Sequence, residues 1–150
     1  MKKSLIFIWV LLSAGISQAQ LNPVSWTFTA KKTASKTYEI HMTATMQAGW
    51  HLYSQTQPED AIAIPTTFTL NNNPLITKNG KIKEIGKMLV FHDARLDISA
   101  HQYANTVDFV QVVKLKANAK TNFSGNVEYQ TCDDSKCLPP KTIVFNVALK

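Results

Sequence analysis

Cysteine is nearly absent from this chain of 150 residues, and the two that occur, Cys132 and Cys137, stand close together. A multi-bridge disulfide scaffold is thereby excluded, and the fold must stand on its hydrophobic core. No second Cys-x-x-Cys element and no paired-histidine element accompanies the pair. His41, His51, His92 and His101 are dispersed, so the four-ligand set of a structural zinc site is incomplete and neither metal nor other cofactor is expected. The lysines are scattered rather than interleaved with aromatics in one block, which removes the electrostatic footprint of a nucleic-acid binder. No segment carries a convincing helical period, and there is no internal repeat, low-complexity tract or linker.

What is present begins with an export signal. Met1-Lys2-Lys3 is basic, Leu5 to Leu12 is apolar, and Ser17-Gln18-Ala19 supplies small residues at the cleavage positions, so residues 1–19 are expected to be removed and Gln20 to become the first residue. The apolar run falls short of the roughly 20 residues of a membrane helix, and nothing comparable follows it. No cysteine stands at the cleavage point to accept a lipid anchor. The expectation is a periplasmic chain, not inserted in the membrane, with residues 20–150 as one domain. Loss of Lys2 and Lys3 lowers the net charge of +6 by two, a modest excess that leaves room for an acidic partner or anionic lipid.

Period-2 alternation dominates that domain. Tyr38, Ile40, Met42, Ala44 and Met46 share one face, and Glu39, His41, Thr43 and Thr45 the other, which reads as a long half-buried strand. Further strands are expected at Trp26 to Ala30, Trp50 to Ser54, Thr66 to Leu70, Leu96 to Ala100, Val107 to Leu115, Asn122 to Cys132 and Thr142 to Leu149. Turn chemistry separates them, including Asn71-Asn72-Asn73-Pro74 and Asn79-Gly80. About eight strands at this spacing predict an all-β fold, an antiparallel β-sandwich of immunoglobulin-like type. Gln55 to Pro65 and Ile85 to Ala94 read as loops, and long loops in a small sandwich are often functional.

In an exported protein a nearby cysteine pair closes into a disulfide, which serves either as a staple or as a redox tool. A crosslink closing roughly six residues stabilises a fold by only about 2 kcal/mol in the chain-entropy model, which argues against a staple without deciding the matter. Around the pair, Asp133 and Asp134 disfavour a thiolate on Cys132 and Lys136 favours one on Cys137, making Cys137 the candidate nucleophile. The same charges also suit an ordinary hydrophilic turn. In Gly49-Trp50-His51-Leu52-Tyr53-Ser54, alternation sets His51 and Tyr53 on one face, a site wall, and Trp50 with Leu52 on the core face. An imidazole beside a dithiol could shuttle protons, although an isolated histidine on a strand is more often simply hydrogen-bonded. Met88 to Phe91 is an apolar stretch that reads equally as a covering loop or as a core strand.

Gly49-Trp-His-Leu-Tyr-Ser54, Ile64-Pro-Thr-Thr-Phe-Thr-Leu70 and Tyr129-Gln-Thr-Cys-Asp-Asp-Ser-Lys-Cys-Leu-Pro-Pro140 together resemble the N-terminal periplasmic domain of the bacterial thiol:disulfide interchange protein DsbD. The resemblance runs from about Val24 to Leu149, and its cysteine segment is the most specific part. It implies an immunoglobulin-like sandwich with protein-disulfide reductase or interchange activity, receiving electrons from a membrane-bound or thioredoxin-like donor and passing them to periplasmic acceptor proteins. It also implies that Cys137 forms mixed disulfides with partners, that Cys132 resolves them, and that a cap loop shields the pair, with Phe91 the nearest match. His51 departs from the tyrosine of the best-known members. Full-length family proteins continue into a membrane-spanning carrier and a thioredoxin-like domain, whereas this sequence stops at Lys150, so its reductant is expected in trans. The competing expectation is a non-catalytic binding module of the same fold whose disulfide only shapes a loop.

Overall fold

A computed structural model describes residues 22–150, all of whose regular structure is β-strand. The expected signal peptide lies outside the described residues. Eleven strands form three antiparallel sheets. The first sheet has the order β1 (Val24–Ala34), β2 (Thr37–Met46), β8 (Thr106–Leu115), β5 (Ile76–Ile85). The second is β11 (Lys141–Leu149), β9 (Thr121–Tyr129), β4 (Thr67–Leu70). The third is β10 (Thr131–Cys132), β3 (His51–Tyr53), β7 (Ile98–Ala104), β6 (Met88–Asp93). The fold is an antiparallel β-sandwich of immunoglobulin-like type, as the alternation predicts.

The core sits where the apolar faces of these sheets meet. Tyr38, Ile40, Met42, Ala44 and Met46 are all buried, which confirms the alternating reading of β2. Phe109 on β8 packs against Trp26 on β1 and Phe68 on β4, and Phe28 stacks on Phe145 of β11 with ring centroids 4.8 Å apart. Aromatic rings thus join the first two sheets. Leu52 and Tyr103 carry the inner face of the third sheet into the same core. Each fully buried aliphatic side chain such as Ile40 or Leu52 contributes about 1.5–3 kcal/mol. Gly125 is required by a close approach: a Cβ there would lie 2.4 Å from the Thr69 carbonyl oxygen.

Three expectations are corrected. Asn79-Gly80 is not a turn between strands but an irregularity inside β5, where the register against β8 shifts between Asn79 and Lys83 and Gly80 takes φ +74°. The Ile85–Ala94 stretch is not a loop, since Met88–Asp93 is β6, paired along its length with β7. Both strands lie at sheet edges and bury few side chains, so no one-sided apolar pattern marks them. Leu96 falls in the turn between β6 and β7, and β7 starts at Ile98. Gln55–Pro65 contains no regular strand, in keeping with its reading as a loop.

Candidate functional site

The cysteine segment is the far end of the β9–β11 hairpin, bent from one sheet into another. Tyr129 pairs with Lys141 in the second sheet, and only three residues later Cys132 pairs with His51 in the third. Pro139 and Pro140 offer no amide donors, so pairing on the return strand resumes at Lys141. Between the strands lies a tight hairpin in which Leu138 N donates to the Thr131 carbonyl at 2.9 Å and Asp133 N to the Lys136 carbonyl at 2.9 Å. Cys132 and Cys137 face each other across it and are joined as a disulfide.

Register fixes which face of the third sheet carries the site. Cys132 lies opposite His51, and His51 opposite Ala104; Tyr53 lies opposite Gln102, and Ala100 opposite Phe91. Thr131, Leu52, Tyr103 and Met88 form the alternate row. Leu52 and Tyr103 point into the main core, whereas Cys132, Tyr53 and Ala100 form a separate small cluster with Ala63 against it. The disulfide therefore sits on the outer face of the third sheet, outside the main core.

The two sulfurs have unequal surroundings. Cys132 is 4% exposed, whereas Cys137 is exposed. One cavity of about 540 Å³ is lined by His51, Tyr53, Phe91, Gln102, both cysteines and the turn residues 133–136. A second, of about 400 Å³, also meets Cys137 and is lined largely by apolar groups, among them Ile62, Ala63, Ile64 and Phe91. Desolvation raises the Tyr53 pKa, so its hydroxyl remains a neutral group at this wall.

The charged residues of the turn divide their roles. The Asp133 carboxylate accepts from Ser135 N, Ser135 Oγ and Lys136 N at 2.8, 2.9 and 2.8 Å. These bonds, first that from the Ser135 backbone, hold its pKa below the ordinary value of 3.8. Asp133 thus builds the turn as an Asx cap, beyond any effect of its charge on sulfur. Asp134 and Lys136 are exposed at the turn.

All the expected site residues gather here, but Phe91 arrives differently from the expectation. It belongs to a strand rather than a loop, and it is 46% exposed rather than packed in the core. Gln102, Ala100 and the Ile62–Ile64 segment went unrecognised in the sequence. The apolar run Ala61-Ile-Ala-Ile64 inside an otherwise polar loop was the one available signal for the last of these.

Residues 18–149 match the family described as the thiol:disulfide interchange protein DsbD, N-terminal. The chain belongs to that family. Among solved structures it is similar to the DsbD N-terminal domain of Neisseria meningitidis in its reduced form, with a TM-score of 0.51 and 14% identity over 82% of this chain and 84% of that one. It also matches the N-terminal periplasmic domain of ScsB from Proteus mirabilis, with a TM-score of 0.49 and 18% identity over 82% of this chain. The match spans only 44% of the ScsB chain. No curated protein matches. At these identities the solved structures speak to the fold alone.

Proposed function

We propose that this protein is a periplasmic thiol-disulfide exchange protein, released from its signal peptide after Ala19, that relays electrons through Cys132 and Cys137. The observation that carries the reading is the unequal exposure of the two sulfurs within one disulfide. A reduced donor, thioredoxin-like or membrane-bound, attacks exposed Cys137; a donor–Cys137 bond forms, the Cys132–Cys137 bond breaks, and Cys132 leaves as a thiolate that takes up a proton. The donor's second thiol then displaces Cys137, leaving the donor oxidised and this protein reduced by two electrons. In the onward step the Cys137 thiolate attacks an acceptor's disulfide. Cys132 then attacks Cys137, re-forming the internal bond and releasing the reduced acceptor.

Buried Cys132 suits the resolving role, because only Cys137 can reach it without competition from outside thiols. Phe91 shields the pair, and His51 and Tyr53 form the wall against which a partner's cysteine lies. A redox titration with thiol quantification tests the whole reading. Reduction in the range of exchange proteins, above about −300 mV, is expected; a pair that stays oxidised well below that potential is a structural staple. In that case the protein is a binding module, and partner binding survives the Cys132→Ser, Cys137→Ser double change.

The assignment of roles has its own test. Cys132→Ser is expected to accumulate mixed disulfides on Cys137, visible on non-reducing gels, since the intramolecular exit is gone. Cys137→Ser should trap far less, its remaining sulfur being buried. Equal trapping by both would remove the assignment while sparing the redox claim.

A further inference from the structure

The side chain of Gln130 occupies the corner where the chain leaves the second sheet for the third, between the end of β9 at Tyr129 and the start of β10 at Thr131. Its carboxamide faces two ways. Oε1 accepts from the backbone N–H of Ile64 at 3.3 Å, and Nε2 donates to the carbonyl of Leu138, the residue after Cys137, at 3.3 Å. One side chain therefore joins the Ile62–Ile64 segment to the cysteine hairpin.

The segment it holds is anchored firmly at both ends. At its root, the Glu84 carboxylate on β5 accepts from Ser54 Oγ at 2.7 Å, Gln55 N at 2.7 Å, Gln55 Nε2 at 3.1 Å and Tyr103 OH at 2.6 Å. Gln57 adds a two-way bond to the backbone of His101, accepting from its N–H at 3.0 Å and donating to its carbonyl at 2.7 Å. At the exit, buried Thr66 donates to the Tyr53 carbonyl at 2.6 Å. Between these anchors the chain crosses the outer face of the third sheet, with Ala63 against Cys132, Tyr53 and Ala100 and with Ile62 and Ile64 lining the cavity at Cys137. The strap has fixed ends, and the polar attachment of its middle to the cysteine hairpin is the Gln130 amide, which accepts from Ile64 N–H and is itself braced on Leu138, each bond at 3.3 Å lying just past the usual range of about 2.7–3.2 Å.

We infer that Gln130 is a positioning residue for Cys137: it latches the Ile62–Ile64 strap to the cysteine hairpin and so sets how open the Cys137 sulfur is to an incoming thiol. This rests on the exchange reading above. A carboxamide suits the task because it donates to one segment and accepts from the other, which a carboxylate or a hydrocarbon does not do. Release of the strap uncovers the apolar wall beside Cys137 without disturbing the main core, to which the strap does not belong.

The test uses the oxidised full chain and its Gln130→Ala and Gln130→Glu variants. Dithiothreitol is the probe thiol, and the readouts are the reduction rate, amide hydrogen exchange at Ile64 and the urea midpoint. Gln130→Ala is expected to speed both reduction and Ile64 exchange by about two- to twelvefold, the factor that one net hydrogen bond supplies, with the urea midpoint nearly unchanged. Gln130→Glu keeps the acceptor for the Ile64 N–H, and with it the strap's attachment, so Ile64 exchange and reduction should both stay nearer wild type than in Gln130→Ala. Unchanged reduction and exchange in Gln130→Ala would overturn the latch, as would faster reduction with Ile64 still protected. The titration of the unaltered protein separates this failure from failure of the exchange reading, because it does not depend on Gln130.

Discussion

The main core and the disulfide cluster are built from the same sheets in opposite manners. The core interleaves rings from β1, β4, β8 and β11, so that Phe109 meets both Trp26 and Phe68 and no single contact holds the layers together. The cluster on the outer face consists of Tyr53, Ala100 and Cys132 with Ala63 laid across them. The first arrangement resists opening because much apolar area would be hydrated at once. The second covers a reactive bond with little area and a few hydrogen bonds, so it can open locally while the sandwich stays folded. Stability and reactivity are thereby assigned to different faces of one sheet, with Leu52 and Tyr103 on one side and Tyr53 and Cys132 on the other.

The largest effect that would sharpen this contrast comes from the core. Phe109→Ala removes a fully buried ring and is expected to cost about 3–5 kcal/mol in urea or thermal unfolding, while the fraction still folded reduces at the wild-type rate. A faster disulfide in that folded fraction would show the two regions to be coupled. Next in size is Gly125→Ala, whose Cβ would stand 2.4 Å from the Thr69 carbonyl oxygen, part of the backbone rather than a flexible side-chain end. Overpacking of that kind costs about 1–3 kcal/mol. The change should appear in stability with reduction kinetics untouched, because β4 and β9 meet in the second sheet, away from the outer face of the third.

How far the sequence revealed this plan depended on whether a strand buries one face only. In β2 one face is core and the other is not, and the alternation of Tyr38 to Met46 placed every buried residue correctly, whereas β8 buries Val110 on its second face as well. In β5 and β6, edge strands with little buried, there was no such signal, and Phe91 passed for a loop residue. At the site, the local pattern His51-Leu-Tyr53 told which side chains share a face, since that follows from strand geometry alone. The placing of Gln102 beside Tyr53, or of Ala63 over Cys132, follows from long-range register and a loop path, which no local pattern encodes.

Smaller effects belong to the outer face. Phe91 is half exposed on an edge strand and lines both cavities at Cys137. Phe91→Ala is therefore expected to change stability by no more than about 0.5 kcal/mol, as for ordinary surface positions, and to raise the rate of reduction by small thiols. A loss of several kcal/mol without faster reduction would make the ring a structural support of the third sheet and end its role as a shield.

The smallest effect separates turn from charge in the cysteine hairpin. Asp133 has its pKa lowered by the hydrogen bonds it accepts from Ser135 and Lys136, so its bonds stabilise the folded hairpin above the unfolded value near 3.8. That contribution is lost as pH falls through the lower folded value, when the protonated carboxyl no longer accepts as strongly. Across neutral pH the turn should be insensitive to acid. Asparagine keeps a side-chain oxygen able to close the same Asx turn but carries no charge. If Asp133 acts through the turn, Asp133→Asn leaves the neutral-pH rate of disulfide reduction by a phosphine within about twofold, because the Asx bond survives, and abolishes the hairpin's loosening in strong acid. A tenfold change at neutral pH would instead mean that the negative charge beside Cys132 governs the sulfur chemistry, and the division between a turn-building Asp133 and an exposed Asp134 would fail.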